Sequence, residues 1–435
     1  MLIEFKVSNF RSIREEQTFS LVASNTDKDL PECVIDRELP GLSGVKFLKG
    51  AAIFGANASG KSNILAAIKY VADFVGQSAT NIQPGDNTGA EPFKLDKVSV
   101  AKPSEFELTF VAGEVRFVFG FAATSQRVVE EYLVAYPKGA PQRWYYRAFN
   151  EATEKYEWAK PSTAFKQDKS LQAKTRENAL FISVGPQFNH PQLTQVYNWF
   201  KNSIHIMSMG AENRMRIGYN ATMEHIKSPT QRDRIINLLR SADFGVDDAR
   251  VQETEHAIED LGKKFPPPVQ SEMERMEKKY GPILATRLKI TLTHKADGIE
   301  PVALDFDKEE SEGTRRFFGL IGPWLNILDK GYTVFLDEIE TSLHPVLVKE
   351  LLRLVFSSQH NPKGAQVVFT TQNPLLLDNM LIRRDQVWFT EKSPGVETYL
   401  YPLTDFQPRK DEALERGYLG GRYGAIPFFP EGLKL

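Results

Sequence analysis

The sequence predicts an α/β fold in two lobes, with mixed β-sheets and a helical insertion between them, and three observations predict it. Strand-like alternation marks the start of the chain and returns over 104–122 and 128–147. A short, continuous apolar run leads straight into a glycine-bearing loop, and a helical period follows the loop. A polar stretch of helical period over about 190–290 then separates this half from a second one, in which buried apolar strands alternate with a helix.

Ile3, Phe5 and Val7 alternate with Glu4, Lys6 and Ser8, the period of a half-buried strand, and Phe19, Leu21 and Ala23 repeat the pattern after a turn. Ala51-Ala52-Ile53-Phe54, bounded by glycines, reads as a fully buried central strand. From Asn63 onward Ile64, Ile68, Val71 and Val75 recur at helical spacing. Phe106, Leu108 and Phe110 open a further set of antiparallel strands, Asn178-Ala179-Leu180-Phe181-Ile182-Ser183 reads as another strand, and the β-rich lobe ends near Val184.

In the insertion, Trp199, Ile235, Leu238 and Leu239 keep helical spacings, Phe265-Pro266-Pro267-Pro268 is a break, and Glu272 to Lys279 reads as a solvated helix face. Val334-Phe335-Leu336 and Val367-Val368-Phe369 are buried strands with a helix from Pro345 between them, the mark of a parallel core. The division expected is 1–188, 189–290 and 291–435.

Composition narrows the class. Of 435 residues 41% are hydrophobic and 25% charged, the balance of a globular chain, and the formal charge of −2 provides no general attraction for nucleic acid. Cys33 is the single cysteine, which excludes disulfide frameworks and cysteine-based zinc sites. Charges interrupt the apolar residues of Met1 to Lys6, so neither a signal peptide nor a membrane partner is expected, and the expected location is cytoplasmic.

The residues that carry chemistry begin with Gly55-Ala56-Asn57-Ala58-Ser59-Gly60-Lys61-Ser62. Gly55 and Gly60 permit turns that aim successive N–H groups inward at phosphate oxygens, and the following helix adds its N-terminal dipole. Lys61 is placed to reach the β- and γ-phosphates and the Ser62 hydroxyl to ligate Mg²⁺, while Asn57, Ala58, Ser59 and Asn63 shape and flank the loop. The cofactors expected are ATP and Mg²⁺. A second signal is Thr333-Val334-Phe335-Leu336-Asp337-Glu338, an apolar strand ending in two carboxylates. At that end of a parallel strand they face the crevice where ligands bind. Asp337 would hold Mg²⁺, and Glu338 would orient and deprotonate the attacking water.

About 275 residues separate Lys61 from Asp337, far more than a compact P-loop enzyme needs. In this order of motifs the chain resembles the SMC/RecF-like branch of ABC-type ATPases, over nearly its whole length. The resemblance implies an ABC/SMC-head-like, two-lobe P-loop ATPase. Asn9-Phe10-Arg11-Ser12 is similar to that family's N-terminal strand and turn, which makes Arg11 a candidate nucleotide contact. Glu310-Ser311-Glu312-Gly313 stands where the signature motif belongs. Ser311 and Gly313 would bind the nucleotide of another subunit, or else form an ordinary helix cap. Ser342-Leu343-His344-Pro345 resembles the D-loop. At the position of the switch histidine stands Gln372, which can hydrogen-bond but cannot take a proton at neutral pH, so slow hydrolysis is expected. Gln187 is either the Q-loop residue that senses Mg²⁺ or a plain polar loop residue; both readings stand.

The Asn178–Ser183 segment and the Gly421-Arg422-Tyr423-Gly424-Ala425-Ile426-Pro427 stretch most resemble the ATPases of two-gene abortive-infection systems, the AbiL or RloA type. That resemblance implies a homodimer or higher homo-oligomer formed through the ATP sites. It also implies a separate, nuclease-like effector, with a nucleic acid or phage protein as trigger. The rival reading is a RecF/SMC-like DNA-repair or chromosome-associated ATPase that binds DNA. A transporter nucleotide-binding domain fits the insertion and signature poorly, and a rarely hydrolysing switch is open.

Overall fold

The computed structural model describes residues 1–208, 212–242, 244–257, 275, 284–295, 300–341, 343–393 and 396–427. The Phe265–Pro268 break, the Glu272–Lys279 run apart from Arg275, and Ser342 of the D-loop segment lie outside them. Two compact units are present, one of residues 1–210 and 326–435 and one of residues 211–325.

In the first unit, β1 (Leu2–Ser8) and β2 (Gln17–Ser20) precede the buried strand β3 (Gly50–Gly55) and helix α1 (Lys61–Gln77). Strands β4 (Ser104–Ala112), β5 (Val115–Ala123), β6 (Val128–Tyr136), β7 (Gln142–Asn150) and β8 (Lys155–Trp158) follow as a meander. Together with β1 and β2 they form a seven-stranded antiparallel sheet in the order β8-β7-β6-β5-β4-β1-β2. Helices α2 (Phe181–Gln187) and α3 (Pro191–Ser203) then lead to β9 (Ile204–Ser208).

The Asn178–Ser183 segment is therefore not a strand. Its second half opens α2, and residues 178–183 are all buried. Glu131 on β6 explains the outcome. Its carboxylate accepts the Phe181 and Ile182 N–H groups at 2.8 and 3.1 Å, satisfying the first donors of the helix. Arg147 on β7 lies 2.8 Å from the same carboxylate, the Tyr145 hydroxyl donates to it at 2.9 Å, and both members of the ion pair are 0% exposed. Burial first, and then the charge of Glu131, pushes the Tyr145 hydroxyl well above its usual pKa.

The second unit carries the helices expected of the insertion and also a sheet. Helices α4 (Glu212–Lys227) and α5 (Pro229–Ser241) are followed by β10 (Val246–Ala257), which pairs antiparallel with β11 (Leu284–His294), and β11 with β12 (Val302–Asp305). Helix α6 (Glu312–Lys330) crosses α4 through the Thr222 hydroxyl, which donates to Phe318 O at 2.7 Å and accepts the Gly322 N–H at 2.9 Å.

Back in the first unit come β13 (Thr333–Asp337), α7 (Pro345–Phe356), β14 (Gln366–Thr371), β15 (Val387–Lys392), β16 (Thr398–Pro402) and α8 (Leu414–Leu419). The second sheet of this unit has the order β9-β13-β14-β3-β15-β16, parallel except for the β15–β16 pair. Strand β14 thus lies between β3, which carries the glycine-bearing loop, and β13, which ends in Asp337. Helix α1 buries Ile64, Leu65, Ile68, Val71, Phe74 and Val75 in one cluster with Phe5, Phe106, Phe119 and Ile53, joining the two sheets of the unit.

Removing Arg147 alone leaves Glu131 charged and uncompensated in the core. Arg147→Met is expected to lower the unfolding free energy by about 3–5 kcal/mol. Chemical denaturation checks this, and a loss below about 1 kcal/mol would show that the pair is not what holds α2 to the sheet.

Candidate functional site

Strand β3 is fully buried and ends at Gly55, so the chain leaves the sheet with no freedom to drift and turns at once into the loop. Ala58 and Gly60 both take left-handed backbone, φ 62° and 109°, which curls the loop into a concave run of N–H groups ahead of α1. Gly60 is required twice over: its φ disfavours a side chain, and a Cβ would stand 2.0 Å from Thr398 Oγ1. A Cβ at Gly55 would likewise meet Ser59 Oγ and Thr390 Oγ1 at 2.5 Å.

Hydroxyl groups from distant strands fasten this loop, and their directions are mutually consistent. Thr398 Oγ1 donates to Ser59 O at 3.0 Å, so it accepts from Ser12 Oγ at 2.7 Å, which in turn accepts from Asn63 Nδ2 at 2.6 Å. Thr390 Oγ1 donates to Phe54 O at 3.3 Å, so Ser59 Oγ donates to Thr390 at 2.6 Å. Arg11, beside Ser12, has left-handed backbone and pairs with Glu91 at 3.1 Å. With Ser12, Leu95, Lys392 and Val396 it lines a cavity of about 260 Å³.

Lys61 is buried, and its Nζ donates to Gly55 O at 2.8 Å and Ala56 O at 2.9 Å. Burial pushes its pKa down, while the carboxylates of Glu338, Glu340 and Asp337 pull it back up. Ser62, on the exposed first turn of α1, donates to Asp337 Oδ1 at 3.1 Å. The structure thus brings together Lys61, Ser62, Asp337 and Glu338, four residues drawn from opposite ends of the sequence, while Asn57 and Ala58 stay exposed at the loop tip.

Glu338 leaves β13 in the left-handed region, φ 52°, a conformation that costs a non-glycine residue about 1–3 kcal/mol and persists only where neighbours enforce it. Those neighbours sit at the end of β14. Thr370 Oγ1 donates to Asp337 Oδ1 at 2.6 Å and accepts the Glu338 N–H at 2.8 Å. Gln372, exposed just beyond β14, donates its N–H to Glu340 Oε1 at 2.8 Å. Oε2 of Glu340 is buried with no hydrogen-bond partner among the described residues.

Sequence reasoning missed Thr370, Glu340, Thr390, Thr398 and Ser12. No local signal marked them, because their contacts arise from strand order and register.

Gln187 lies elsewhere. It is exposed at the end of α2, one turn beyond Ser183, whose Oγ donates to Val75 O near the far end of α1. Fourteen residues of helix, about 21 Å, separate Val75 from Lys61. In the second unit Ser311 caps α6: its Oγ accepts the Thr314 N–H at 3.0 Å. Gly313 follows in the first turn, with open space around its α-carbon apart from Ser311 Oγ. His344 caps α7, and Pro345 occupies the first helical position.

The residues fit a nucleotide with its metal ion. Ser62 Oγ and Asp337 Oδ1 set two hard oxygens 3.1 Å apart that could hold Mg²⁺, an ion that commonly takes only one or two protein groups besides waters and phosphates. Gly60→Ala should disrupt the loop by opposing both φ and Thr398. Binding of a fluorescent ATP analogue is expected to fall at least about tenfold, and unchanged affinity would show that the loop does not form the phosphate cradle.

A family model described as "AAA domain, putative AbiEii toxin, Type IV TA system" matches residues 51–378. Among solved structures the chain is similar to the SMC head domain from Thermotoga maritima, at 15% identity, 92% of this chain, 98% of that one and TM-score 0.40. It is similar also to an SmcHead bound to the C-winged helix domain of ScpA, at 13% identity, 93% and 99% coverage and TM-score 0.41. The recombination mediator protein RecF with ATPrS matches at 12% identity, 92% and 98% coverage and TM-score 0.34. No curated protein matches the chain.

Proposed function

Because the chain belongs to this AAA-domain family, we propose that it binds ATP with Mg²⁺ at the Gly55–Ser62 loop, hydrolyses it, and through ATP-driven head-to-tail dimerisation controls a separate effector in anti-phage abortive infection. The observation that carries the nucleotide reading is the 3.1 Å contact between Ser62 and Asp337, with Glu338 held directly after them. Residues 1–188 and 291–435 are then the ATPase lobes, and 189–290 the insertion.

In this reading Lys61 exchanges its two carbonyl partners for phosphate oxygens, and the loop amides bind the remaining charge. Ser62 and Asp337 would hold Mg²⁺, whose chemistry there is to offset negative charge on the phosphates. Glu338 accepts the proton of the attacking water as its oxygen bonds to the γ-phosphorus and the bond to ADP breaks. Gln372 supplies a hydrogen-bonding amide and no proton acceptor, so Glu338 works as the sole base and turnover is slow. The cavity beside Arg11 takes the nucleoside end. Ser311 and Gly313, at the N-terminus of α6, bind the γ-phosphate of a second copy. A nuclease-like effector and a nucleic-acid or phage-protein trigger complete the proposal. No helix among the described residues is long and apolar enough to cross a membrane.

Glu338→Gln is expected to bind ATP, lose at least about 10²-fold in turnover and accumulate as a dimer, read by light scattering with and without ATP. Wild-type turnover in that variant would remove Glu338 from catalysis.

Ser311→Asp preserves the cap but sets a negative charge against the phosphate. It should melt within a few degrees of the wild type and bind ATP as a monomer, yet fail to dimerise. ATP-dependent dimers of this variant would reduce Ser311 to a capping residue.

A further inference from the structure

Between the proposed metal ligand and the proposed base stands one buried hydroxyl to which the sequence motifs assign nothing. Thr370 is 0% exposed, and the Leu336↔Phe369 register of the parallel β13–β14 pair sets it beside Asp337. Its single hydroxyl hydrogen is committed to Asp337 Oδ1 at 2.6 Å, and its lone pair accepts the Glu338 N–H at 2.8 Å. Its own carbonyl accepts the Ile339 N–H at 3.3 Å. Three successive residues, the last of β13 and the two that follow it, are therefore held by one residue of β14.

Two consequences follow from these bonds. Oδ1 of Asp337 takes hydroxyl donors from both Ser62 and Thr370, and Oδ2 has none among the described residues, which fixes the carboxylate's rotation with one oxygen turned toward protein donors. The Glu338 and Ile339 N–H groups stand on either side of the Glu338 α-carbon and both bond to Thr370, the first to its hydroxyl, so this residue pins the left-handed backbone that carries the base. We infer that Thr370 is a positioning residue of the reaction, orienting the carboxylate of Asp337 and the backbone of Glu338 through one hydroxyl.

This inference rests on the proposed ATPase reading, and its test includes a measurement that needs no nucleotide. Thr370→Val keeps shape and burial without the hydroxyl, and Thr370→Ser keeps the hydroxyl. Thr371→Val makes the same change one residue on, where the hydroxyl accepts the Asn373 N–H and touches neither carboxylate. In the ligand-free protein, exchange of the Glu338 amide should accelerate about fivefold or more in Thr370→Val and stay at the wild-type rate in the other two.

The Mg²⁺ concentration that half-saturates ATP-analogue binding should rise about tenfold in Thr370→Val, and kcat should fall about 10²-fold with KM nearly unchanged. Thr370→Ser should recover to within several-fold of the wild type. A wild-type chain without hydrolysis would sink the ATPase reading, and the amide exchange would still decide the role of Thr370. Wild-type exchange and Mg²⁺ dependence in Thr370→Val, or an equal loss in Thr371→Val, would overturn the inference.

Discussion

Asp337 is reached from two directions at once, by the Ser62 hydroxyl of the loop helix and the Thr370 hydroxyl of the neighbouring strand, and the rest of the site depends on that convergence. With β14 interposed, the carboxylate stands one strand farther from the loop, and the gap is bridged by the first turn of α1. The strands that set this spacing are buried from end to end up to the residues that do the chemistry. A close-packed core with few alternative arrangements is what lets hydroxyl–carboxylate contacts of about 3 Å be specified by residues so far apart in sequence.

At the edge of that core the polar groups are satisfied in a definite order. The Asn63–Ser12–Thr398–Ser59 chain has one consistent direction of donation, and so does Ser59–Thr390–Phe54. Such networks stabilise only when complete, because a half-satisfied buried hydroxyl costs more than an apolar replacement. Completeness here draws on the N-terminal turn, the loop and β15 and β16 together, so the loop's shape belongs to the whole unit. The strain at Glu338 is offset in the same way, by the hydrogen bonds that its own N–H and that of Ile339 make to Thr370.

The loop residues, the two carboxylates and the buried strands that carry them were legible because each is a local pattern: glycines at fixed spacing, or an apolar run ending in charge. Thr370 and Thr398 were not, because their importance comes from strand register and strand order, which no local pattern encodes. The Asn178–Ser183 segment shows a different limit. A short apolar run suits a buried strand and a buried helix equally, and the decision fell to Glu131, some 50 residues away in sequence. Strand β10 was hidden for the opposite reason, since Val246-Asp247-Asp248-Ala249-Arg250-Val251-Gln252 is too polar to show a clear period of two. Gln187 stood open between a Q-loop residue and a plain polar one, and the packing of α2 against the far end of α1 sets it away from the loop.

Glutamine at position 372 gains meaning from its backbone. Its side chain is exposed and cannot carry a proton, yet its N–H is bonded to Glu340, three residues past Asp337. Two residues earlier, inside β14, Thr370 holds Asp337 and Glu338. The end of β14 and the turn after β13 therefore form one hydrogen-bonded assembly, and a displacement of Gln372 would reach the carboxylates through two residues. A histidine at that place would add a titratable group to this assembly. With glutamine there, what the end of β14 contributes is geometry, and the proton chemistry proposed for the site is left to Glu338 alone.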